Sequence, residues 1–489
     1  MSRHRVPINL YDIAADVVRE AGFITREPEE VRREIEAWQE APADRGPRAD
    51  VIDMRKLPWC SIDNDDSRDL DQVQCAERLD DDAIRLLVGI ADVDEWVTRG
   101  SATDRLAAHN ATSVYTGVRT FPMLPDELSE GMTSLLPGVD RIAVVISLTL
   151  DRQGIVIDCQ ASRALVRNHA KLVYETIGAW LERGGTPPPS VEEVDGLAEQ
   201  VLLQYEATER LERYREASGA LDLETIEARP VSRNGKIVDL VVREENPARE
   251  LIENLMVAAN SAASEYLRSR GMPVIQRVVR EPERWPQIMS IASRHGTTLP
   301  DAPDSHALTA FLDARRRADP VRFPDLSLSI VKLLGAAEYD VVLPDEATPS
   351  HFGLALRGYS RSTAPNRRYV DLVTQRMLKA ASAGQPQPYT LAELETVIER
   401  CRTMEREARK VERRVRKMGA AILLAERIGD TFRAIVTGAS AKGTYVRLIS
   451  PPAEGRVVRN FDGMDVGEKV HVRLLDTDPA RGFIDFEGV

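Results

Sequence analysis

The sequence predicts an α+β protein in three parts: a small helical unit at residues 1–50, a large domain at 51–425, and a small β-barrel of the OB type at 426–489. Three observations predict it. Two amphipathic segments open the chain, strand-like and then helical patterns fill its middle, and polar and apolar residues alternate with period two near its end.

The first part reads as two helices. The segments NLYDIAADVVREA (9–21) and PEEVRREIEAWQ (28–39) are amphipathic, Pro28 suits a first helical position, and Gly22 ends the first helix. The short link GFITRE is compatible with a DNA-binding helix-turn-helix or with a plain two-helix cap. The composition of APADRGPRAD (41–50) indicates a linker.

The middle part begins with strands and continues with helices. LLVGIADV (86–93) and RIAVVISLTL (141–150) are apolar, β-rich runs, which indicates a sheet at 51–165. The remainder, 166–425, is predicted to be mostly helical, with long segments of helical period at 191–217, 247–269 and 393–427.

The last part changes character. Four segments alternate polar and apolar residues and are separated by Gly, Pro and Asp turns: TFRAIV, GTYVRLI, KVHVRLL and GFIDF. Short strands at this spacing are typical of an OB barrel.

Composition excludes several classes of protein. With 43% apolar and 29% charged residues the chain is an ordinary folded protein. Its four cysteines are scattered without a CxxC pair, which argues against a zinc knuckle and against a disulfide framework. We see neither a signal peptide nor a run long enough to span a bilayer, and we expect a cytoplasmic monomer.

The net charge of −13 is unusual for a protein that binds nucleic acid. The location of charges matters more than their sum, however, and residues 402–417 hold eight basic and three acidic side chains.

The most unusual stretch is SIDNDDSRDLDQ (61–72), which has five aspartates within nine residues. A solvated charged loop is the ordinary interpretation of such a run. The flanks LPWCSI and QVQCAERL look buried, however, so the loop is predicted to be anchored between core strands. Carboxylates held this close repel one another, which either protonates some of them or favours a cation among them.

The residue types indicate which cation. An EF-hand needs Gly and Glu where Arg68 and Gln74 stand, and zinc would need His or Cys nearby. A hard ion such as Mg²⁺ or Mn²⁺ remains, and such ions commonly complete their shell with substrate phosphate. The run therefore suggests phosphoryl-transfer chemistry.

A second segment supplies positive charge. HFGLALRGYSRSTAPNRRYVDL (351–372) places Arg367 and Arg368 between a predicted turn and a predicted helix. Arginines at the positive end of a helix are well placed to meet phosphates, although arginine-rich helix starts also occur as plain surface.

These two segments resemble the two signature motifs of the ribonuclease II (RNB) family of 3′→5′ exoribonucleases. Further similar stretches lie between the two motifs, in the same order as in the family, at 112–138, 170–181, 215–224 and 249–260. The final barrel looks like the S1 domain of that family. The resemblance implies an RNB catalytic domain, with a mixed β-sheet and helices around an RNA channel.

The resemblance also implies roles for residues. Asp63, Asp69 and Asp71 would bind Mg²⁺ or Mn²⁺, with Asp69, Asp71 and Arg367 taking part in catalysis. RNA-binding residues would be Tyr115, Tyr174, Glu253, Arg368 and, in the barrel, Phe432 and Tyr445. Tyr115 would stack near the 3′ end, and Tyr174 with Glu253 would recognise ribose hydroxyls. Glu405 aligns with an acidic residue near the product end.

Each role has an ordinary structural alternative. The tyrosines of the catalytic domain could be core aromatics, Glu253 could be an exposed helix acid, and Phe432 and Tyr445 could belong to the barrel core. For Glu405 we favour a solvated helix charge.

The sequence departs from the family pattern at three places. Gln72 stands where the motif ends in a second aspartate, so metal binding should be weaker, although the amide oxygen remains a ligand. Asn366 replaces the usual Ile before the arginine pair. About 55 residues precede the domain, too few for a cold-shock barrel, so we expect a short form that tolerates RNA structure near the 3′ end.

The sequence thus predicts a processive 3′→5′ exoribonuclease that hydrolyses single-stranded RNA, including structured RNA with a 3′ overhang, to 5′-nucleoside monophosphates. The alternative is a catalytically weak RNA-binding protein that keeps the fold. A transcriptional regulator that uses the N-terminal helices is a third hypothesis.

Overall fold

A computed structural model describes residues 10–40, 49–223, 228–233, 236–242, 246–320, 322–440, 443–464 and 467–489. Two helices open it, α1 (Leu10–Glu20) and α2 (Glu29–Glu40), within a residue of the predicted segments. Most of the predicted linker at 41–50 lies outside the described residues.

A seven-stranded mixed sheet forms the centre of the molecule. The strands between residues 51 and 173, with one helix among them, are β1 (Val51–Asp53), β2 (Cys60–Asp63), β3 (Gln72–Arg78), β4 (Ile84–Ala91), α3 (Ala102–Asn110), β5 (Val114–Tyr115), β6 (Thr120–Phe121), β7 (Asp140–Leu150), β8 (Val156–Arg167) and β9 (Ala170–Val173). The sheet order is β1-β8-β7-β4-β3-β2-β9, and β5 pairs with β6 in a separate hairpin. β2 pairs with β3 at one position only, Cys60 with Gln74, so the two strands separate and leave room for the aspartate loop.

Helices dominate the next 250 residues, as predicted, but six short strands lie among them. In order the elements are α4 (Tyr174–Arg183), α5 (Pro189–Glu192), α6 (Leu197–Ala217), β10 (Ala228–Arg233), β11 (Lys236–Val242), α7 (Pro247–Ser269), β12 (Val274–Val278), α8 (Trp285–Arg294), α9 (Ser305–Ala318), α10 (Phe323–Leu334), β13 (Glu338–Val342), β14 (Ser350–His351), β15 (Leu356–Arg357), α11 (Tyr369–Ser382) and α12 (Leu391–Leu424). The strands pair as β10–β11, β12–β13 and β14–β15, away from the main sheet.

The closing barrel has five strands: β16 (Thr431–Ser440), β17 (Gly443–Leu448), β18 (Glu454–Arg459), β19 (Lys469–Asp478) and β20 (Phe483–Gly488). It closes in the order β16-β17-β18-β20-β19, with β16 paired to β19. Four of these strands were predicted. The strand β18 was missed because its sequence, EGRVVR, does not alternate.

Packing ties the parts together. Leu10, Ala14, Val17 and Val18 of α1 are buried in the main core, which also contains the sheet and one side of α7, α11 and α12. The helix α2 packs instead on α3, where the Glu34 carboxylate accepts hydrogen bonds from the backbone amides of Ala102 and Thr103. Helices α8 to α10 build a core of their own. None of the helices in the described ranges is long and apolar enough to cross a membrane.

Candidate active site

An open cavity of about 760 Å³ lies where the aspartate loop faces the start of α11. Its walls come from the loop after β2, the β5–β6 hairpin, the start of α4, one side of α7, and the long helix α12. The cavity therefore brings together residues as far apart in the sequence as Asp63 and Arg416.

The aspartate loop has an exposed middle and anchored ends. Leu70 is buried and its carbonyl accepts a hydrogen bond from the amide of Leu135, while the carbonyl of Asp71 accepts one from Ala91. Asn64, Asp65 and Asp66 are exposed. The loop is therefore anchored in the core, as predicted, and the solvated-loop interpretation holds only for its tip.

All four predicted metal ligands line the cavity. Asp63 ends β2 and accepts hydrogen bonds from the Ser67 hydroxyl and the Asn64 amide, both at 2.7 Å. Asp69 and Asp71 follow on the loop, and Gln72 is the first residue of β3. Asp71 is the most enclosed of the four, at 4% exposure.

Enclosure and mutual repulsion make these carboxyl groups unusual. Burial raises the pKa of Asp71 to about 6, against the lowering effect of Arg367, and the neighbouring Asp69 raises it further. Burial likewise raises the pKa of Asp69, and the charge of Asp63 adds to the effect.

The turn before α11 closes the site from the other side. The Arg367 Nε atom lies 3.3 Å from Asp71 Oδ2, and its side chain stays 43% exposed toward the cavity. Asn366, the unusual residue of this motif, donates a 2.9 Å hydrogen bond from Nδ2 to Asp71 Oδ1. Both oxygens of Asp71 are thus held by the residues that precede α11.

The structure gives Arg368 a structural role and does not test its predicted contact with RNA. Its guanidinium forms two hydrogen bonds with the buried Asp371 carboxylate, at 2.6 and 2.8 Å, and its side chain is only 16% exposed. This ion pair fixes the first turn of α11 and leaves Arg367 alone to face the cavity.

The predicted aromatic residues occupy two different walls. Tyr115, on β5, is 44% exposed and lines the cavity. Tyr174 begins α4 and also lines the cavity, but its ring is largely covered, with the Arg249 guanidinium 4.3 Å above the ring centre. Glu253 is exposed and does not appear among the described residues that line the cavity, although Ile252 and Met256 of the same helix do. Its position matches the alternative of an exposed helix acid.

Sequence reasoning missed the contribution of α12. Glu412 and Arg416 of this helix line the cavity, and the Glu412 carboxylate accepts a 2.9 Å hydrogen bond from the amide of Tyr115. The helical period of 393–427 predicted the helix, but only tertiary packing determines which turn of a basic helix reaches a cavity.

The interpretation of Glu405 as a solvated charge is also wrong. Its carboxylate contacts the guanidinium groups of Arg277, at 3.1 Å, and Arg361, at 3.6 Å, and accepts a hydrogen bond from the Tyr339 hydroxyl. The side chain is 11% exposed.

In the barrel, the two candidate stacking residues differ. Phe432 is buried in the barrel core edge to face with Phe486, so the stacking prediction for it is wrong and the core alternative holds. Tyr445 is 42% exposed on β17 and remains a candidate.

The donor chemistry fits a hard divalent cation. Within the described residues, no three or more His, Cys, Asp or Glu side chains are grouped so that they could hold a metal ion by themselves. Asp63, Asp69 and Asp71 nevertheless line one cavity, where the charge of Asp63 raises the pKa of Asp69 and the charge of Asp69 raises the pKa of Asp71. A cation would relieve this repulsion. An incomplete set of oxygen donors suits an ion that keeps waters and takes ligands from a phosphate.

Comparisons with known proteins agree with this geometry. The family model described as the RNB domain matches residues 51–384, and the one described as the RNase II-type exonuclease C-terminal S1 domain matches 430–489. Ribonuclease R of Thermotoga maritima is 30% identical over 498 residues, which cover 94% of this chain and 68% of that protein. Ribonuclease R 1 of Lactococcus lactis is 27% identical over 504 residues, and the chain spans only 60% of its length.

The fold is also that of a solved ribonuclease. The apo form of Mycoplasma genitalium RNase R superimposes with a TM-score of 0.88 at 20% identity, covering 98% of this chain and 78% of that one. The same protein has been solved in complex with ribose-methylated single-stranded RNA.

Proposed function

Since the chain belongs to the RNB family and ends in an RNase II-type S1 domain, we propose that it is a metal-dependent 3′→5′ exoribonuclease. It hydrolyses single-stranded RNA processively to 5′-nucleoside monophosphates. The observation that carries the proposal is the meeting of Asp69, Asp71 and Arg367 at one cavity, although almost 300 residues separate them.

The chain's own groups supply binding and orientation. Asp63, Asp69 and Asp71, with the Gln72 amide oxygen, would hold Mg²⁺ or Mn²⁺. A divalent cation at such a site lowers the pKa of a bound water and offsets charge on a phosphate. Arg367 has room in the cavity to contact the scissile phosphate and to stabilise negative charge as it develops.

The remaining cavity residues orient the 3′ end of the RNA. Tyr115 offers an exposed ring on which the last base can stack, and such stacking tolerates any base. The cation of Arg416 faces the same space and can meet a backbone phosphate. Tyr174 also lines the cavity, and in this proposal it recognises a ribose hydroxyl. Because phosphate contacts dominate, affinity should fall as the salt concentration rises.

The barrel is the second RNA-binding part in this proposal. Its partner is the same single strand, upstream of the cavity, with exposed Tyr445 on β17 as a stacking residue. RNA as partner is supported by the relative of the same fold that has been solved with single-stranded RNA.

The test is product analysis with 5′-labelled single-stranded RNA in Mg²⁺ or Mn²⁺, with EDTA as the blank. The expected result is loss of full-length RNA with accumulation of short 5′-labelled end products and few intermediates, release of 5′-monophosphates, and no reaction by Asp71→Asn. If the wild-type protein and Asp71→Asn are equally inert with both metals while still binding RNA, the protein is an RNA-binding module and the proposal fails.

A further inference from the structure

Side chains from other segments, more than hydrogen bonds within the loop's own backbone, hold the tip of the aspartate loop in place. Among the described backbone contacts, the loop between Asn64 and Leu70 has a single internal hydrogen bond, from the Ser67 amide to the Asn64 carbonyl at 3.2 Å. A loop this short of internal bonds does not keep a fixed shape by itself, because each ordered residue costs conformational entropy. Other side chains must therefore supply the order that a set of metal ligands needs.

Lys171 supplies part of that order. It lies on β9, where it pairs in register with Ser61 of the adjacent strand β2. Its ammonium group donates two 2.7 Å hydrogen bonds to the loop, to the carbonyl oxygens of Asp65 and Ser67. The side chain is only partly exposed.

Ser134 holds the other half of the loop. This fully buried hydroxyl donates to the carbonyl of Arg68 at 2.6 Å and accepts from the amide of Leu70 at 3.0 Å. The carbonyls of three loop residues, Asp65, Ser67 and Arg68, therefore bond to two side chains that come from different elements.

The hydrogen-bond acceptors of Lys171 are unusual for a cation that lies beside five aspartates. Its two hydrogen-bond acceptors are neutral carbonyls, whereas an ordinary ion pair would occupy carboxylate oxygens. A positive charge placed in this way reduces the repulsion within the loop and leaves the oxygens of Asp63 and Asp69 available to a metal ion. We propose that Lys171, assisted by Ser134, is a positioning residue that orders the aspartate loop for divalent metal binding.

This inference rests on the proposed function, which supplies the metal ion. Electrostatics alone predicts that removing Lys171 strengthens metal binding, whereas a role in ordering the loop predicts that it weakens metal binding. If Lys171 were only a nearby positive charge, its removal would strengthen the attraction of the loop for a cation. If it orders the loop, its removal weakens metal binding, as loss of a group that orients metal ligands typically does, by about 10- to 100-fold.

The experiment measures binding of Mn²⁺ alone, from the paramagnetic resonance signal of the free ion, with no RNA present. The variants are Lys171→Met, which keeps most of the stem, and the uncharged change Ser134→Ala, with exposed Lys56→Met as the matched control. Far-UV circular dichroism and melting in EDTA establish that each variant is folded. We expect Lys56→Met to bind like wild type, Lys171→Met about 10- to 100-fold more weakly, and Ser134→Ala also more weakly.

Hydrogen exchange in EDTA gives a second readout that does not need the metal. The amides of residues 64–70 should exchange faster in Lys171→Met and Ser134→Ala than in wild type and Lys56→Met. Unchanged or tighter Mn²⁺ binding by Lys171→Met, or unchanged exchange of the loop, would overturn the inference. If wild type itself binds no Mn²⁺, the proposed function fails, and the exchange data alone decide whether Lys171 orders the loop.

Discussion

Replacing Asn366 by Ile, the residue that the RNB signature usually has, should impair this protein. Asn366 is 2% exposed, and its amide donates the only side-chain hydrogen bond to Asp71 Oδ1 that we find in the described residues. The Thr133 hydroxyl lies 2.8 Å from the Asn366 carbonyl oxygen, which fixes the direction of the amide. With Ile in its place, Asp71 would keep only the longer contact with Arg367.

The structure sets the size of the effect. A hydrogen bond to a charged group contributes about 1.5–3 kcal/mol, and both partners here are buried. If the loss is felt fully in the transition state, kcat falls by about 10- to 150-fold, since about 1.4 kcal/mol corresponds to a factor of ten. KM should change little, because RNA is held mainly through phosphates and stacking elsewhere.

The assay is single-turnover cleavage of a labelled oligoribonucleotide at saturating Mg²⁺. Thr374→Val is the matched control, since it also removes a buried hydrogen-bonding side chain, a hydroxyl whose partner is the Val370 carbonyl within α11. If Asn366→Ile keeps kcat within about twofold of wild type while the control does the same, the hydrogen bond has no catalytic role and the reasoning is refuted.

Three further predictions concern metal affinity and the barrel. Gln72→Asp adds a charged ligand to the cavity, so the Mg²⁺ concentration for half-maximal activity should fall; a rise would contradict the assignment of this residue as a ligand. Gly482→Ala should lower the melting temperature and weaken binding of long RNA, because Gly482 has φ +68° and an added Cβ would lie 2.9 Å from the Met418 amide nitrogen of α12. Unchanged melting would mean that the turn between β19 and β20 can shift away from α12. Asp325→Asn should lower the free energy of unfolding, measured in urea, by about 3–5 kcal/mol. The reason is that the Asp325–Arg447 ion pair between α10 and the barrel is buried, with side-chain exposures of 9% for Arg447 and 11% for Asp325. A loss below about 1 kcal/mol, which is typical of surface ion pairs, would show that solvent screens this pair.

Much of the fold followed from patterns that are local in the sequence. The helix α7 was predicted at its observed bounds, 247–269, from apolar residues that recur with helical period. In the structure Asn246 caps this helix and Pro247 is its first residue. Long apolar strands such as β4 and β7 were equally clear. The short strands β10 to β15 were missed because two to seven residues carry too little periodicity.

The site was harder, for reasons that individual residues illustrate. Arg367 and Arg368 are adjacent and chemically identical, yet one faces the cavity and the other bonds to Asp371, because consecutive residues at a helix start point in different directions. Phe432 looks like a stacking residue until its partner Phe486, 54 positions later, is known. Asn366 could only be noted from the sequence, and its bond to Asp71 spans 295 residues.

The helix α12 contributes residues both to the cavity and to the core of the barrel. Its middle turns contribute Glu412 and Arg416 to the cavity, and its last turns contribute Ala420, Ala421 and Leu424 to the core of the barrel. A chain cut just before β16 would expose those three apolar side chains to water, so a shortened protein should be prone to self-association. If the barrel is exchanged for another RNA-binding module, the end of α12 should therefore be retained. The new module would need an apolar core that can cover Ala420, Ala421 and Leu424.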